Sequence, residues 1–496
     1  MNLREKLLKY SKRDVYPFHM PGHKRQKSPL EDSVLNRFSE LDITDSIEDF
    51  CTLGEREGPI YELEKRAALI FGVKNAHLLV NGSSCGVLAA ISCFGLRGKK
   101  VLIGRNAHKS AYNALLITGG EADYLWPDII NLKNGGSICG AADCQKLAER
   151  LDRDRDIAAF FLTSPTYEGV CSDIREIAKI CHERGVALIV DAAHGAHFGF
   201  AGQMPSAQSQ GADIVITSIH KTLPAPTQTA FLFTSGSSFI DQGLLKKMLT
   251  AYQTSSPSFI LMAGACECLD ILEEKGEELF GAYAENLREF YDRTAGLKRL
   301  WLQRQDDPGK ILVCMPEGGL KNCRNSHELT LLLREKYGIE PEMTGETYVL
   351  LMTSLMDSKE SFSRLAEALY DIEKCEAARE CSLHNITTGT KAACDFTADN
   401  FAADSRDSLH NIYKYKISCI AGSGLKNGLT LREAMCSEKN PMPLGSSTGF
   451  MAADFIYAYP PGIPVLLPGE MIDEKALSYI ERLLRENIRL KGLELL

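Results

Sequence analysis

The sequence contains no run of about 18 apolar residues, so no membrane-spanning helix is expected. It has no C-x-x-C pair and no His/Cys cluster at zinc spacing, which leaves no signal for a metal site. Tandem repeats and low-complexity tracts are also missing. Basic charge is in deficit: 56 Lys and Arg stand against 65 Asp and Glu, a formal net charge of -9. Nucleic acid or an anionic membrane as the main partner would call for a basic face, so neither is expected. The opening residues, MNLREKLLKYSKRD, are charged and lack the apolar core of a secretory signal. The 16 cysteines are scattered. Cys266 and Cys268 form only a C-x-C, whose members point apart on a helix. The cysteines read as reduced, mostly buried residues of a cytoplasmic protein, and none sits in a thiol-nucleophile motif.

What is present is an ordinary globular composition, 44% apolar and 24% charged over 496 residues, long enough for two or three domains. Residues 1–59 read as an arm. It begins with an amphipathic segment and continues through YPFHMPGHKRQ, whose prolines exclude a regular helix and whose His19 and His23 have surface or packing roles as their default. An acidic stretch, DITDSIEDFCTLGEREGP, precedes a helix over 60–71. From residue 76 short apolar runs alternate with helical patterns. AHLLV (76–80), KVLIG (100–104), IAAFFL (157–162), VALIVD (186–191), ADIVIT (212–217) and TAFLF (229–233) read as strands, and NGSSCG (81–86) reads as a turn before a helix over 87–96. Ile174, Ile177, Ala178 and Cys181 fall on one helical face. The alternation predicts a large α/β domain over 60–295, with a mostly parallel seven-stranded sheet covered by helices. KILVCM, a helix over 329–336 and TYVLLMTS suggest a small α+β domain at 296–381. A polar linker over 382–400 and a C-terminal domain complete 382–496.

Polar residues collect where the sheet strands end, which is where open α/β sheets bind ligands. Ser218, Ile219, His220 and Lys221 follow the strand at 212–217, and Lys221 would suit a phosphate-bearing aldehyde. A lone lysine is more often merely solvated. NGSSCG places Ser83 and Ser84 at a helix N-terminus, where free N–H groups favour an anion, although a simple helix cap explains them as well. Asp191 ends an apolar strand and is either a cap or a buried counter-ion. Two unit charges about 4 Å apart attract by roughly 4 kcal/mol at an effective dielectric near 20, enough to hold a pyridine nitrogen protonated. His108, after a strand and a turn, could stack on a ring or start a helix. The order of phosphate turn, histidine, strand-end Asp and strand-end Ser-x-His-Lys favours the chemical reading of all four.

Those stretches resemble the Orn/Lys/Arg decarboxylase family of fold type I pyridoxal-phosphate enzymes. The carrying segments are FHMPGHK, HLLVNGSSCGVLAAI, RNAHKSAYNALL, SPTYEG, VDAAHGAHFGF, ADIVITSIHKTLPAPTQTAFLF and YPPGIPVLLPGEMI. The length is that expected of the short form without an N-terminal wing domain. The resemblance implies pyridoxal 5'-phosphate as cofactor, with Lys221 as the Schiff-base residue. Asp191 would pair with the pyridine nitrogen, His108 would stack on the ring and Ala193 would pack against its other face. His194 would lie near the phenolic oxygen, and Ser83, Ser84, Ser218 and His220 would hold the phosphate. Thr254–Ser258, with Ser255 and Ser256, resembles a segment that reaches the neighbouring subunit's cofactor, implying a homodimer or higher homo-oligomer with shared sites.

The implied reaction is decarboxylation of arginine, lysine or ornithine to a polyamine-type amine, with Lys221 or His220 returning a proton to the α-carbon. Asp454 and Glu470 are candidates for the substrate's distal cation, and a surface or capping role would explain either. The chain departs from the family pattern in three places. It has Ala192 where the family often has glutamate, it lacks a Pro-Gly turn in the early acidic segment, and it has Gly449, Phe450 and Asp454 where Gly-Arg and a glutamate are common. Rival readings are another fold type I enzyme, an aminotransferase or lyase, and a non-catalytic regulatory relative.

Overall fold

The structure is a computed structural model that describes residues 2–13, 20–21, 24–26, 37–44, 47, 49–382, 415–420 and 429–495. His19, His23 and the expected linker from residue 383 onward lie outside the described residues. The chain divides into two compact units. The first comprises Met1–Asp128, Cys139–Glu285 and Thr353–Asp357, and the second Ile129–Ile138, Asn286–Met352 and Ser358–Leu496.

The first unit opens with α1 (Leu3–Ser11) and α2 (Gly58–Ile70), then alternates strand and helix. β1 (Asn75–Leu79), α3 (Gly82–Gly95), β2 (Lys100–Gly104), α4 (Lys109–Thr118) and β3 (Ala122–Leu125) come first. The chain then passes through a two-stranded sheet of β4 (Ile129–Asn131) and β5 (Ser137–Cys139), whose residues up to Ile138 belong to the second unit. The alternation resumes with α5 (Cys144–Arg153), β6 (Ile157–Thr163), α6 (Ile174–His182), β7 (Ala187–Asp191), β8 (Ile214–Thr217), α7 (Ile219–Thr222), β9 (Ala230–Thr234) and α8 (Gln242–Tyr252). Seven strands form one sheet in the order β1-β9-β8-β7-β6-β2-β3. The neighbours from β3 to β8 are parallel, and only β9 runs against them. This is the expected mostly parallel seven-stranded sheet. Every residue of β7, β8 and β9 is buried, as strands covered on both faces require.

Three local differences from the sequence reading have physical reasons. The helix expected from residue 87 begins at Gly82, so NGSSCG supplies its first turn. Small residues permit this, because a Cβ on Gly86 would come within 2.7 Å of Leu79 Cδ1 and 3.1 Å of Ile216 Cγ2, so only glycine lets the helix approach the sheet this closely. The strand ADYL at Ala122–Leu125 carried no apolar run because it is an edge strand with only Leu125 buried. The polar turn carrying Lys221 is one turn of helix, Ile219–Thr222. By contrast α6 runs as expected, capped by the Asp173 side chain and burying Ile174, Ile177, Ala178 and Cys181.

The long helix α9 (Phe259–Thr294) leads out of the first unit. In the second unit β10 (Trp301–Gln303), β11 (Lys310–Cys314), β12 (Met343–Thr344) and β13 (Tyr348–Met352) form an antiparallel sheet with α10 (Ser326–Tyr337). Towards the C-terminus Ile417, Cys419, Ile456, Leu466, Ile472, Ile480 and Leu483 share a separate core, to which the closing helix Glu474–Arg485 contributes. The cysteines whose side chains are described are free, and among the described residues no helix is long and apolar enough to cross a membrane.

At the β1 edge of the large sheet, Glu64 on α2 accepts a hydrogen bond from the Leu78 N–H at 2.9 Å. Burial pushes this carboxyl up to about 7, against the opposing effects of that bond and of Lys246. A carboxyl whose folded value is raised contributes stability that is complete below its unfolded value and is lost as pH rises through the folded one. Between about pH 4.5 and 7 the Glu64→Gln variant should therefore gain on the wild type, by up to roughly 3 kcal/mol, in urea denaturation followed across that range.

Candidate active site

Four parallel strands and β1 end on the same side of the large sheet. Each strand's buried apolar run stops there and hands its chain to a polar turn. Asp191 closes β7, and β8 beside it, paired Asp191 to Ile216, leads into Ser218–Lys221. β6 ends at Thr163 opposite Asp191, and Tyr167 follows. β2 ends at Gly104, and four residues later His108 caps α4. β1 leads into Gly82 and the first turn of α3.

Lys221 is half-buried, and its Nζ lies 3.0 Å from His194 Nε2. The Tyr167 ring stands edge-on to His194, centroids 4.5 Å apart, and its face is 6.0 Å from Lys221 Nζ. Asp191 is buried, and its Oδ1 accepts from the Ala193 N–H at 3.1 Å. It is thus both a local cap and a buried charge. Burial raises its pKa, and the Lys221 ammonium opposes the rise. Ala193 and His194 are buried beside it.

His108 accepts from the Ser110 N–H at 3.2 Å, so the helix-start role weighed from the sequence is real. Burial first, then the cations of Lys221 and Lys109, lower its basicity to about 4. It is therefore neutral near pH 7. His220 donates from Nδ1 to the Thr229 carbonyl at 2.7 Å, and burial lowers its pKa too, with Lys221 adding to the effect. Ser218 is fully buried and its Oγ has no hydrogen-bond partner. The hydroxyls of Thr163, Thr217 and Thr222 are likewise buried without partners. Such a density of unpaired hydroxyls is costly unless a polar ligand completes them. Ser83 and Ser84 sit in the first turn of α3, whose N-cap Asn81 makes no side-chain capping bond.

The arrangement therefore brings Lys221, Asp191, His194, His108, Ser218 and His220 to one sheet end. Ser255 and Ser256 are exposed, and among the described residues no hydrogen bond ties Thr254–Ser258 to that cluster. Asp454 forms an ion pair with Lys439 at 2.7 Å, and Glu470 accepts from the Leu467 N–H at 2.8 Å, both in the second unit. No described group of His, Cys, Asp and Glu could hold a metal, and burial pushes the nearby Cys85 thiol up to about 12, which removes it as a nucleophile. Tyr167 had no role assigned from the sequence. Its only signal was its place in SPTYEG, because nothing local shows that this turn folds over Lys221.

The match to the Orn/Lys/Arg decarboxylase major domain covers residues 2–309, and that to the family's C-terminal domain covers residues 426–495. The chain belongs to the Orn/Lys/Arg decarboxylase family. The arginine decarboxylases of Bacillus anthracis and Bacillus subtilis are 25% and 26% identical to it, each alignment covering 98% of this chain and 94% of the relative. A lysine decarboxylase of Pseudomonas aeruginosa is 22% identical over 96% of this chain and 74% of its own length. Among solved structures, the constitutive lysine decarboxylase of Escherichia coli superposes with a TM-score of 0.74 at 19% identity, covering 97% of this chain and 77% of that one. The serine palmitoyltransferase of Sphingomonas wittichii reaches 0.51 at 15% identity, covering 64% of this chain and 77% of that one. The fold is accordingly that of fold type I pyridoxal-phosphate enzymes, and family membership makes this chain a pyridoxal-phosphate-dependent decarboxylase of a basic amino acid.

Pyridoxal 5'-phosphate fits the residues present. The buried, unpaired Ser218 hydroxyl and the first turn of α3, which lacks a side-chain cap, could donate to a phosphate, Asp191 is a buried acid that would suit a pyridinium, and Lys221 is an amine within its field.

A histidine whose folded basicity is depressed contributes stability that is present above its unfolded value and is lost as pH falls through the folded one. For His108 that window runs from about pH 6.5 down to about 4. In the cofactor-free protein the His108 ring resonances should titrate near the lower value, and Lys221→Ala should move the titration upward by removing a facing cation. An unchanged titration in that variant would show that Lys221 does not face His108.

Proposed function

We propose that Lys221, Asp191 and His108 are the working residues of this decarboxylase and that its substrate is arginine. The single observation that carries the site is the placement of Lys221 Nζ, 3.0 Å from His194, in the field of the fully buried Asp191. The choice of arginine is supported by the relatives of Bacillus anthracis and Bacillus subtilis named arginine decarboxylases, which are covered over 94% of their chains, whereas the lysine decarboxylase of Pseudomonas aeruginosa is covered over 74%.

Bound at this site, pyridoxal 5'-phosphate supplies an electron sink for the pair released when the bond from the α-carbon to the carboxylate breaks. Lys221 would hold the cofactor aldehyde through Nζ. His194, as the acceptor of a Lys221 proton at 3.0 Å, holds Nζ in place and keeps a proton within reach. Asp191 would hold a proton at the ring nitrogen, since a buried carboxylate with one backbone donor gains most from a facing cation. His108 is neutral because of burial and Lys221, so it presents an uncharged ring for stacking. Ser83, Ser84, Ser218 and His220 would hold the phosphate. His220 commits Nδ1 to Thr229, so it can donate from Nε2 only when doubly protonated, a state that a phosphate dianion favours. The Lys221 amine would be the group that carries a proton to the substrate's α-carbon.

Two finer features belong to the same reading. The exposed Ser255 and Ser256 suit contact with a second copy of the chain, which supports a homodimer with shared sites. The free cysteines support a cytoplasmic location. Asp454 and Glu470 remain candidates for the guanidinium of the substrate, and Asp454 would have to leave Lys439 to serve.

Incubation of the holoenzyme with arginine, lysine and ornithine separately is expected to give equimolar CO2 and amine, with arginine the fastest. Formation of a keto acid dependent on a second substrate would indicate an aminotransferase instead. Lys221→Ala should abolish both turnover and the borohydride-reducible chromophore. Retention of that chromophore would remove Lys221 from the role of anchor.

A further inference from the structure

The chain enters α3 through the turn Val80–Asn81–Gly82, and two glutamines from elsewhere hold that turn. Gln228 donates from Nε2 to the Val80 carbonyl at 2.6 Å, and its own carbonyl accepts from the Gly82 N–H at 2.9 Å. Gln253 accepts from the Val80 N–H at 2.9 Å and donates to the Leu78 carbonyl at 3.2 Å. β1 is an edge strand, so these outward backbone groups have no neighbouring strand to pair with.

Gln228 is further distinguished by its backbone, which lies in the left-handed region at φ 86. A residue with a Cβ keeps that conformation only where its surroundings impose it. Here they do, because the side chain and the carbonyl of Gln228 grip the same three-residue turn from both ends. One residue later the Thr229 carbonyl accepts the Nδ1–H of His220 at 2.7 Å. Residues 228–229 therefore touch both turns of the proposed phosphate cup, the one leading to Ser83 and Ser84 and the one carrying Ser218 and His220. The Gln228 side chain is exposed and makes no bond to any proposed reacting group, so catalysis by Gln228 itself is not implied.

We infer that Gln228 is a positioning residue that sets the spacing of the two phosphate-binding turns, acting through the Val80–Gly82 backbone on one side and Thr229 on the other. This rests on the proposed cofactor site and deepens it. Loss of the Gln228 side chain frees the N-terminus of α3 relative to Ser218 and His220, which weakens the grip on the phosphate and leaves the attachment of the aldehyde to Lys221 alone.

The test is titration of cofactor-free protein with pyridoxal 5'-phosphate and, separately, with pyridoxal, which has the same aldehyde and no phosphate, following the absorbance of the Lys221 adduct. Gln228→Glu keeps the shape but cannot donate to Val80, and Gln228→Gly accommodates the positive φ without a side chain. Thermal melting confirms that each variant is folded. Both variants are expected to bind pyridoxal 5'-phosphate roughly tenfold more weakly while binding pyridoxal within about twofold of wild type, the loss of about one hydrogen bond's worth of order in the cup. Equal weakening towards both aldehydes, or no weakening towards either, would overturn the inference and leave Gln228 as a strap on the sheet edge. Absence of any Lys221-dependent adduct in the wild-type protein would instead sink the cofactor reading, and the inference with it.

Discussion

Asp191 is a carboxylate sealed at the end of a fully buried strand, with one backbone donor and one nearby cation to offset the loss of water. Burying such a charge is expensive unless a partner of opposite sign is held close. The sheet provides this geometrically. β7 and β8 run parallel in adjacent positions, so the residues that follow β8 are delivered to the same end as Asp191, and Lys221 is among them. Everything else at the site is arranged around that pair: His194 against the Lys221 amine, Tyr167 against His194, and His108 kept neutral by burial and, to a lesser degree, by the same ammonium.

The scaffold explains why the cluster is composed of turns rather than strands. Strands β6 to β9 spend their residues on burial, and Val, Ile, Leu and Phe fill them. Polar groups are possible only where the chain leaves the sheet, and the parallel arrangement collects those exits on one side. The unpaired hydroxyls of Ser218, Thr217, Thr222 and Thr163 gather at or beside these exits. In a chain of the Orn/Lys/Arg decarboxylase family, a phosphorylated pyridine aldehyde would give partners to the lysine, the acid and the Ser218 hydroxyl, as proposed. The second unit carries its own sheet and a separate C-terminal core, and Asp454 and Glu470 are engaged there in local contacts.

Much of the large sheet was legible because burial on both faces writes itself as short apolar runs bounded by turns. Six of its seven strands follow from that pattern to within a few residues. The seventh, Ala122–Leu125, is an edge strand whose alanine, aspartate and tyrosine have no such signature. The start of α3 was misplaced for the opposite reason. Asn, Gly and Ser carry strong turn preferences, and the close seat of Gly86 against Leu79 and Ile216 overrides them. His108 was ambiguous between helix start and ring partner. The structure shows that it caps α4 and also lies in the field of Lys221.

The sequence by itself determined the α/β alternation, the family and the residue types available at the strand ends, because those depend on local pattern and on motif order. Tertiary structure alone decided which of these residues meet. The contact of His194 with Lys221, the approach of Tyr167 to His194 and the grip of Gln228 on Val80 join positions 27, 27 and 148 residues apart in the chain. Such pairings are set by strand order and by the paths of the turns over the sheet end, and no spacing along the chain encodes them. Lys221 carries the motif, and the parallel sheet makes it a neighbour of Asp191.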